Sequence, residues 1–445
     1  MIVLVHARLL TMDGQGIIED GFIAADNGVI LEVGPTEILP TGKEWESKKW
    51  SESDVVVDAG GGWVLPGFID AHSHIGLFDD SLDLEGSDGN ELTDPITPYL
   101  RAIDGIHNAD VCFREAYEAG VSVVMTGPGS GNVMGGQFAL LRTYERTVDR
   151  AVIAEPGAQK AAFGENPKRV YGQDKKSPST RMGIAGLLRD TLFATLEYAE
   201  KLDIYRTKMT EYEEARASGD EDAPERPDKP DFDFEAESLL SVVTGRLPLK
   251  IHAHRQDDIL TAVRICNEFG LTYTLEHCTE GHLIADVLYD EYVAGLEPGR
   301  GTGNREAKGG RLLGIVVGPI IGDRSKPELS HLMPETAERL RRTGLPVAIM
   351  TDHPCVPVQY LATSAALAVK AGMPYEAALR AITSTAAEIL GISDRFGSLT
   401  VGKTADFTLF TGDPFDYRSR VRLFVGGGTV RYDPESLCSG AKERV

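Results

Sequence analysis

Short runs rich in Val and Ile, broken by Asn-Gly and Gly-Gly turns, occupy both ends of the chain. IVLVHARLLTM, GFIAADNGVILEVG and DVVVDAGGGWVL stand near the start, ADFTLF and RVRLFVGGGTVRY near the end. Runs of this kind predict β-strands joined by tight turns. Between them, apolar runs of strand length alternate with stretches of helical periodicity. VSVVMTG follows a helical run that stops at Gly120, and LKIHAH is followed by DDILTAVRICNEFG, closing on Gly270, and then LTYTLEH. LLGIVVGP, PETAERLRRTG and LPVAIMTD continue the alternation. Gly just past a periodic run is a helix stop. Strands that are apolar almost throughout are those buried on both faces, as in parallel sheets. The pattern predicts an α/β fold: a (β/α)8 TIM-type barrel over 63–394, with a small β-sandwich formed by segments 1–62 and 395–445.

One stretch interrupts the rhythm. LLRDTLFATLEYAEKL has helical periodicity and runs into RTKMTEYEEARASGDEDAPERPDKPDFDFE, residues 206–235, which is highly charged and ends rich in Pro. A long helix leading into a solvated polar connection between two barrel strands is expected there.

A length of 445 residues accommodates a barrel of ~250 residues or more with a smaller companion. Apolar residues at 42% are enough for a large core, so no staples are required. Acidic side chains outnumber basic ones 68 to 45, and the net charge is −23 with no Lys/Arg run. Nucleic acid and anionic membrane surfaces would repel such a chain, so neither is expected as a partner. Cys112, Cys266, Cys278, Cys355 and Cys438 are scattered and form no CxxC pair. That is the pattern of a reduced, cytoplasmic protein rather than of a disulfide framework. Neither a signal peptide nor a membrane-spanning helix is expected.

The histidines change the picture from fold to chemistry. Only ten occur, and several fall at the ends of predicted strands, where a TIM-type barrel assembles its active site. His72 and His74 sit two apart in VLPGFIDAHSHIG, and His252 and His254 two apart in LKIHAHRQDDI. On a strand such pairs face the same way, so two imidazoles aim at one point, a natural chelate for a borderline metal. His277 ends LTYTLEH, and Asp352 ends LPVAIMTD. A lone Asp before His-Pro is ordinarily a cap or turn residue. At the end of an apolar strand, beside three strand ends bearing His, it becomes a candidate ligand. His353, His282 and His331 read as surface or turn histidines, and Arg324 as a surface residue that could reach a substrate carboxylate. The Gly-rich residues 127–137 lack the Gly-Lys-Ser/Thr of a phosphate cradle and are expected as a substrate-facing loop after strand three.

PGFIDAHSH, GVSVVMTG, IHAH, LEHCTEGH, TDHP and the tail ITSTAAEILGISDRFGSLTVGKTADFTLF together resemble the amidohydrolase superfamily, in particular members similar to imidazolonepropionase and barrel-type Xaa-Pro dipeptidases. The resemblance implies metal ligands at His72 and His74 on the first strand, His252 on the fifth, His277 on the sixth and Asp352 on the eighth. It further implies a strand-four ligand in AEPGAQKAAFGENPKRVYG, either Lys160, carboxylated to bridge two metals, or Glu165. With neither bound, the site would be mononuclear. One or two divalent ions are implied, zinc first, with manganese or iron as substitutes. Asp352 and His254 are the implied catalytic residues. Asp352 would take a proton from metal-activated water and pass it to the leaving nitrogen, while His254 orients a ligand or touches the substrate. The implied reaction is cleavage of a carbon–nitrogen bond in a small molecule, a cyclic amide or a small peptide-like substrate. Heterocycle deamination, marked by ammonia release, and a non-catalytic barrel relative are the alternatives. Relatives commonly associate as homo-oligomers.

Overall fold

The computed structural model describes residues 1–39, 55–80, 84–219, 224–303 and 309–434. Strands β1 (Ile2–Leu10), β2 (Ile17–Asp26), β3 (Val29–Pro35), β4 (Val55–Asp58) and β5 (Trp63–Pro66) come first. Barrel strands follow: β6 (Phe68–Ser73), β7 (Val121–Thr126), β8 (Met134–Arg142), β9 (Val152–Ala162), β10 (Leu249–Ala253), β11 (Thr272–His277), β12 (Arg311–Val317) and β13 (Val347–Ile349). The chain returns with β14 (Phe407–Phe410), β15 (Val421–Gly426) and β16 (Thr429–Tyr432).

The terminal strands share one sheet in the order β16-β15-β14-β5-β1-β2-β3, with β4 also on β1. Strand β5 joins the two ends of the sequence, running parallel to β1 and antiparallel to β14. The change from one sheet to the other therefore falls at Gly67. The sheet curls back on itself: Ile30 donates its N–H to the Lys403 carbonyl at 2.9 Å, and Val29 bridges Thr404. Alternate residues from several of these strands, among them Leu4, Ile23, Val64, Phe407, Leu409 and Val425, fill the enclosed core. That is the sandwich expected of the two ends.

The second sheet runs β6 to β13 in sequence order and forms a nearly closed barrel. Asp352 N–H to the His72 carbonyl (3.2 Å) and His74 N–H to the His353 carbonyl (2.9 Å) cross the seam between last and first strands. One strand departs from the uniform (β/α)8 pattern: β8 is antiparallel to both β7 and β9. The physical reason is connection length. Only residues 127–133 link β7 to β8, and a parallel crossover needs roughly a dozen residues or more.

Helix Arg181–Ser218 departs in extent from the sequence expectation. Thr180 caps it on the Gly183 N–H, and Ile184, Leu188, Leu192, Thr195, Tyr198 and Leu202 form its buried stripe. Beyond Leu202 nothing in it is buried, yet it continues helical to Ser218, because RTKMTEYEEARAS is dominated by strong helix formers. Gly219, at φ 72°, ends it in the left-handed conformation. Of the 206–235 segment, then, 206–218 is solvated helix, and residues 220–223 lie outside the described residues. No helix among the described residues is long and apolar enough to cross a membrane.

The two sheets are tied by a buried carboxylate. Asp406 accepts from the Tyr144 hydroxyl (2.8 Å) and the Gly427 N–H (2.7 Å), while its carbonyl accepts the Gly67 N–H at 2.9 Å. Burial pushes its carboxyl up to about 6. Tyr144→Phe should cost about 1–3 kcal/mol by leaving this group short of a donor. A lower denaturant midpoint at unchanged slope would report it. Because the folded-state value is raised, the charged form is what loses stability, so the deficit should be larger at pH 8 than at pH 5.

Candidate metal centre and active site

The strand ends aim their side chains at one point. His72 and His74 leave the end of β6 with ring centroids 5.2 Å apart. His252 and His254 stand at the end of β10 with centroids 4.7 Å apart, and His277, ending β11, is 4.3 Å from His252 and 4.6 Å from His254. Asp352, in the turn after β13, places Oδ1 3.2 Å from His74 Nε2 and 3.6 Å from His72 Nε2. His277 and Asp352 have φ of 69° and 55°, left-handed values that only a surrounding structure can hold in non-Gly residues. Two overlapping triads result, His252–His254–His277 and His72–His277–Asp352, with donor atoms within 4.8 Å of one another. Lys160 lies on β9, the fourth barrel strand, in register with Lys250 on β10.

Hydrogen bonds fix the rings. His74 Nδ1 lies 2.6 Å from the Gly127 carbonyl and His277 Nδ1 2.9 Å from the Gly318 carbonyl, so each donates there and leaves Nε2 with its lone pair. His254 Nδ1 lies 2.7 Å from Thr279 Oγ1. His72 Nδ1 is 3.0 Å from Glu276 Oε2, an oxygen that also accepts from Lys250 Nζ at 2.9 Å. Thr351 donates to the buried Asp70 carboxylate beneath them.

Three of the buried nitrogens left without a hydrogen-bond partner cluster at the strand ends. His72 Nε2, His252 Nδ1 and Lys160 Nζ have no hydrogen-bond partner among the described residues. Buried polar atoms without partners are rare, and three in one cluster mark a place built for a guest. Burial holds His72, His252 and His254 neutral, well below the usual histidine range, and takes His277 down to about 4. Burial also lowers Lys160 to about 8, partly opposed by Asp352 and Glu276. Burial alone would raise Asp352, but His277, His74 and Lys160 hold it well below the carboxylate range. Neutral imidazoles around an ionised carboxylate are the donor set of zinc or a similar divalent ion.

Above the cluster opens a cavity of about 710 Å³, walled by Phe78, Ile321, Leu329 and Leu332 and by the polar Asn166 and Lys326. Glu165 is not on the strand; it begins helix Glu165–Gln173 and donates its N–H to Glu328. The Gly-rich loop lies between the second and third barrel strands rather than after the third, because β8 begins within it at Met134. It does face the cavity, through Gly129 and Ser130. His353 is buried rather than superficial, its Nδ1 accepting the Val358 N–H at 3.3 Å. His282 is half-buried and His331 exposed beside Glu280. Arg324 is exposed and donates to the Leu332 carbonyl. Asp70, Lys250, Glu276, Asn166 and Lys326 escaped the sequence reading. A charged residue inside an apolar strand would have revealed Asp70, Lys250 and Glu276.

Comparison with known proteins follows the same lines. A model of the amidohydrolase family matches residues 242–432. The chain is 28% identical over 410 residues to amidohydrolase tasK of Hapsidospora irregularis, covering 88% of this chain but only 39% of that longer protein. It is 25% identical to imidazolonepropionase of Maricaulis maris, over 92% of both chains. The crystal structure of an amidohydrolase from Thermotoga maritima MSB8 superposes with a TM-score of 0.82 at 34% identity, covering 97% of this chain and all of that one. With a third of its residues shared across essentially the whole of that relative, the protein belongs to the amidohydrolase family of hydrolases, which act on carbon–nitrogen bonds and generally depend on divalent metal.

Proposed function

We propose that this cavity hydrolyses a small amide, a cyclic amide or a short peptide-like molecule, at a centre for two divalent ions, zinc first. The observation that carries the reading is the trio of partnerless buried nitrogens on Lys160, His72 and His252. His72, His74 and Asp352 would hold one ion, His252 and His277 the other, and Lys160, carboxylated on Nζ, would bridge them. A divalent ion bound there supplies Lewis-acid activation of water and of the scissile carbonyl. Similarity to imidazolonepropionase over most of the chain supports a cyclic or small amide.

The chain's own groups then do the rest. Asp352, ionised, accepts a proton from the water that adds to the carbonyl carbon and returns it to the nitrogen as the C–N bond breaks. Glu276 orients His72 and, with Lys250, keeps that corner of the site electrically balanced. Thr279 fixes His254 so that its Nε2 is free to meet the substrate. Phe78, Leu329 and Leu332 exclude bulk water from one side.

Elemental analysis of the desalted protein should find about two zinc or manganese ions per chain, and Lys160→Met should reduce that to about one. One ion in the unaltered protein would remove the bridge, and none, with none taken up on reconstitution, would overturn the reading. Asp352→Asn should lower kcat by about 100-fold or more. Full turnover with full metal content in that variant would exclude Asp352 as the proton carrier.

A further inference from the structure

One positive charge in the cavity has no acidic partner. Lys326 precedes the short helical turn Pro327–Leu329 in the connection after β12, and it is half-buried. Its Nζ donates to the amide oxygen of Asn166 at 2.9 Å. Asn166 in turn donates to Ser130 Oγ at 2.7 Å, and its Nδ2 lies 3.3 Å from His252 Nε2. The ammonium is thus steadied by a neutral amide and stands two hydrogen bonds from a histidine of the metal centre.

Among the described residues no carboxylate forms an ion pair with Lys326. Glu328 is the acid that feels it, but Glu328 Oε2 accepts the Glu165 N–H and its Oε1 lies 3.9 Å from His254 Nε2. Asp323 lies exposed at the rim. Several guanidinium groups elsewhere are matched with acids, among them Arg101 with Glu155 and Arg189 with Glu268. In a chain of net charge −23, a cation held out of such pairing beside the reaction centre is poised for an anion from outside. Phe78, Ile321, Leu329 and Leu332 line the same space and suit an apolar body.

We infer that Lys326 is the counter-ion of a substrate carboxylate, and that the cavity selects amides carrying an acid group and an apolar side chain over their neutral counterparts. The inference rests on the cavity being the active site. A single ammonium offers a point charge and no bidentate fork, and the acid Asp352 lines the same cavity; that arrangement fits a monoanion rather than a phosphate dianion, which calls for several donors. The carboxylate would meet the exposed face of the half-buried Lys326, while Asn166 keeps the ammonium in register with His252.

The test is calorimetric titration of the metal-loaded protein with a panel of N-acetyl amino acids, leucine and phenylalanine among them, and with their primary amides. The acids should bind about tenfold more tightly than the amides, the value of one charge-assisted contact. Lys326→Met should bring that ratio close to one, and Lys326→Arg should keep most of it, with metal content and melting temperature unchanged in both. Absence of acid preference in the unaltered protein, including failure of the acids to bind, overturns the inference. So does a preference that survives in Lys326→Met, which would mean the carboxylate binds the metal itself. Hydrolysis and metal content are read separately. A protein that prefers acids but cleaves no C–N bond would sink the hydrolase reading and leave the anion site standing.

Discussion

Burying five imidazoles, two ammonium groups and three carboxylates at the end of one barrel carries a desolvation cost, and the site exists only because nearly all of them are paired. Glu276 is the hinge of that pairing. Fully buried, it receives Lys250 on one side and stands against His72 on the other, with the Thr274 hydroxyl on its second oxygen. Asp70 is met by Thr351 and by the His72 N–H. Beneath them the Phe138 ring offers its face, 5.4 Å from Lys160 Nζ and 5.9 Å from Lys250 Nζ, an arrangement that favours cations where water is excluded. Among the buried atoms left without a hydrogen-bond partner are His72 Nε2, His252 Nδ1 and Lys160 Nζ, so part of the unmet bonding capacity of the interior lies where a metal would sit.

The parts of this arrangement legible in the sequence are those that obey a period. His72 with His74, and His252 with His254, announce themselves because residues two apart on a strand share a face. Asp352 was legible only because an apolar run precedes it. The reversed strand β8 was not: QFALLR has the same apolar texture in either direction, and strand polarity is set by the length of the connection rather than by the strand. His353 looked superficial because a His-Pro turn ordinarily is, whereas here the turn is folded into the seam of the barrel. The helix from Arg181 outran its buried stripe because propensity alone sustains a solvated helix once a packed half has nucleated it. Lys326 sits in a connection with no period and Asn166 in the first turn of a short helix, and only their meeting in space distinguishes them from surface residues.

Strands and loops therefore divide the work. Strand ends supply chemistry that depends on alternation and register. Connections supply selectivity, which depends on how far a loop folds back over the barrel.

The reversal of β8 shows how one topological choice serves both. An antiparallel third strand leaves a single short loop, residues 127–133, over the site instead of a crossover helix. That loop must pass close to the floor: a Cβ on Gly127 would meet the Phe138 ring at 2.3 Å, so glycine is required there. The close approach puts the Gly127 carbonyl on His74 Nδ1 and, three residues on, Ser130 against Asn166, which holds Lys326. One loop thereby sets the orientation of a candidate metal ligand and steadies the cation at the cavity wall. A longer connection would uncouple the two, and a side chain at residue 127 would displace both at once.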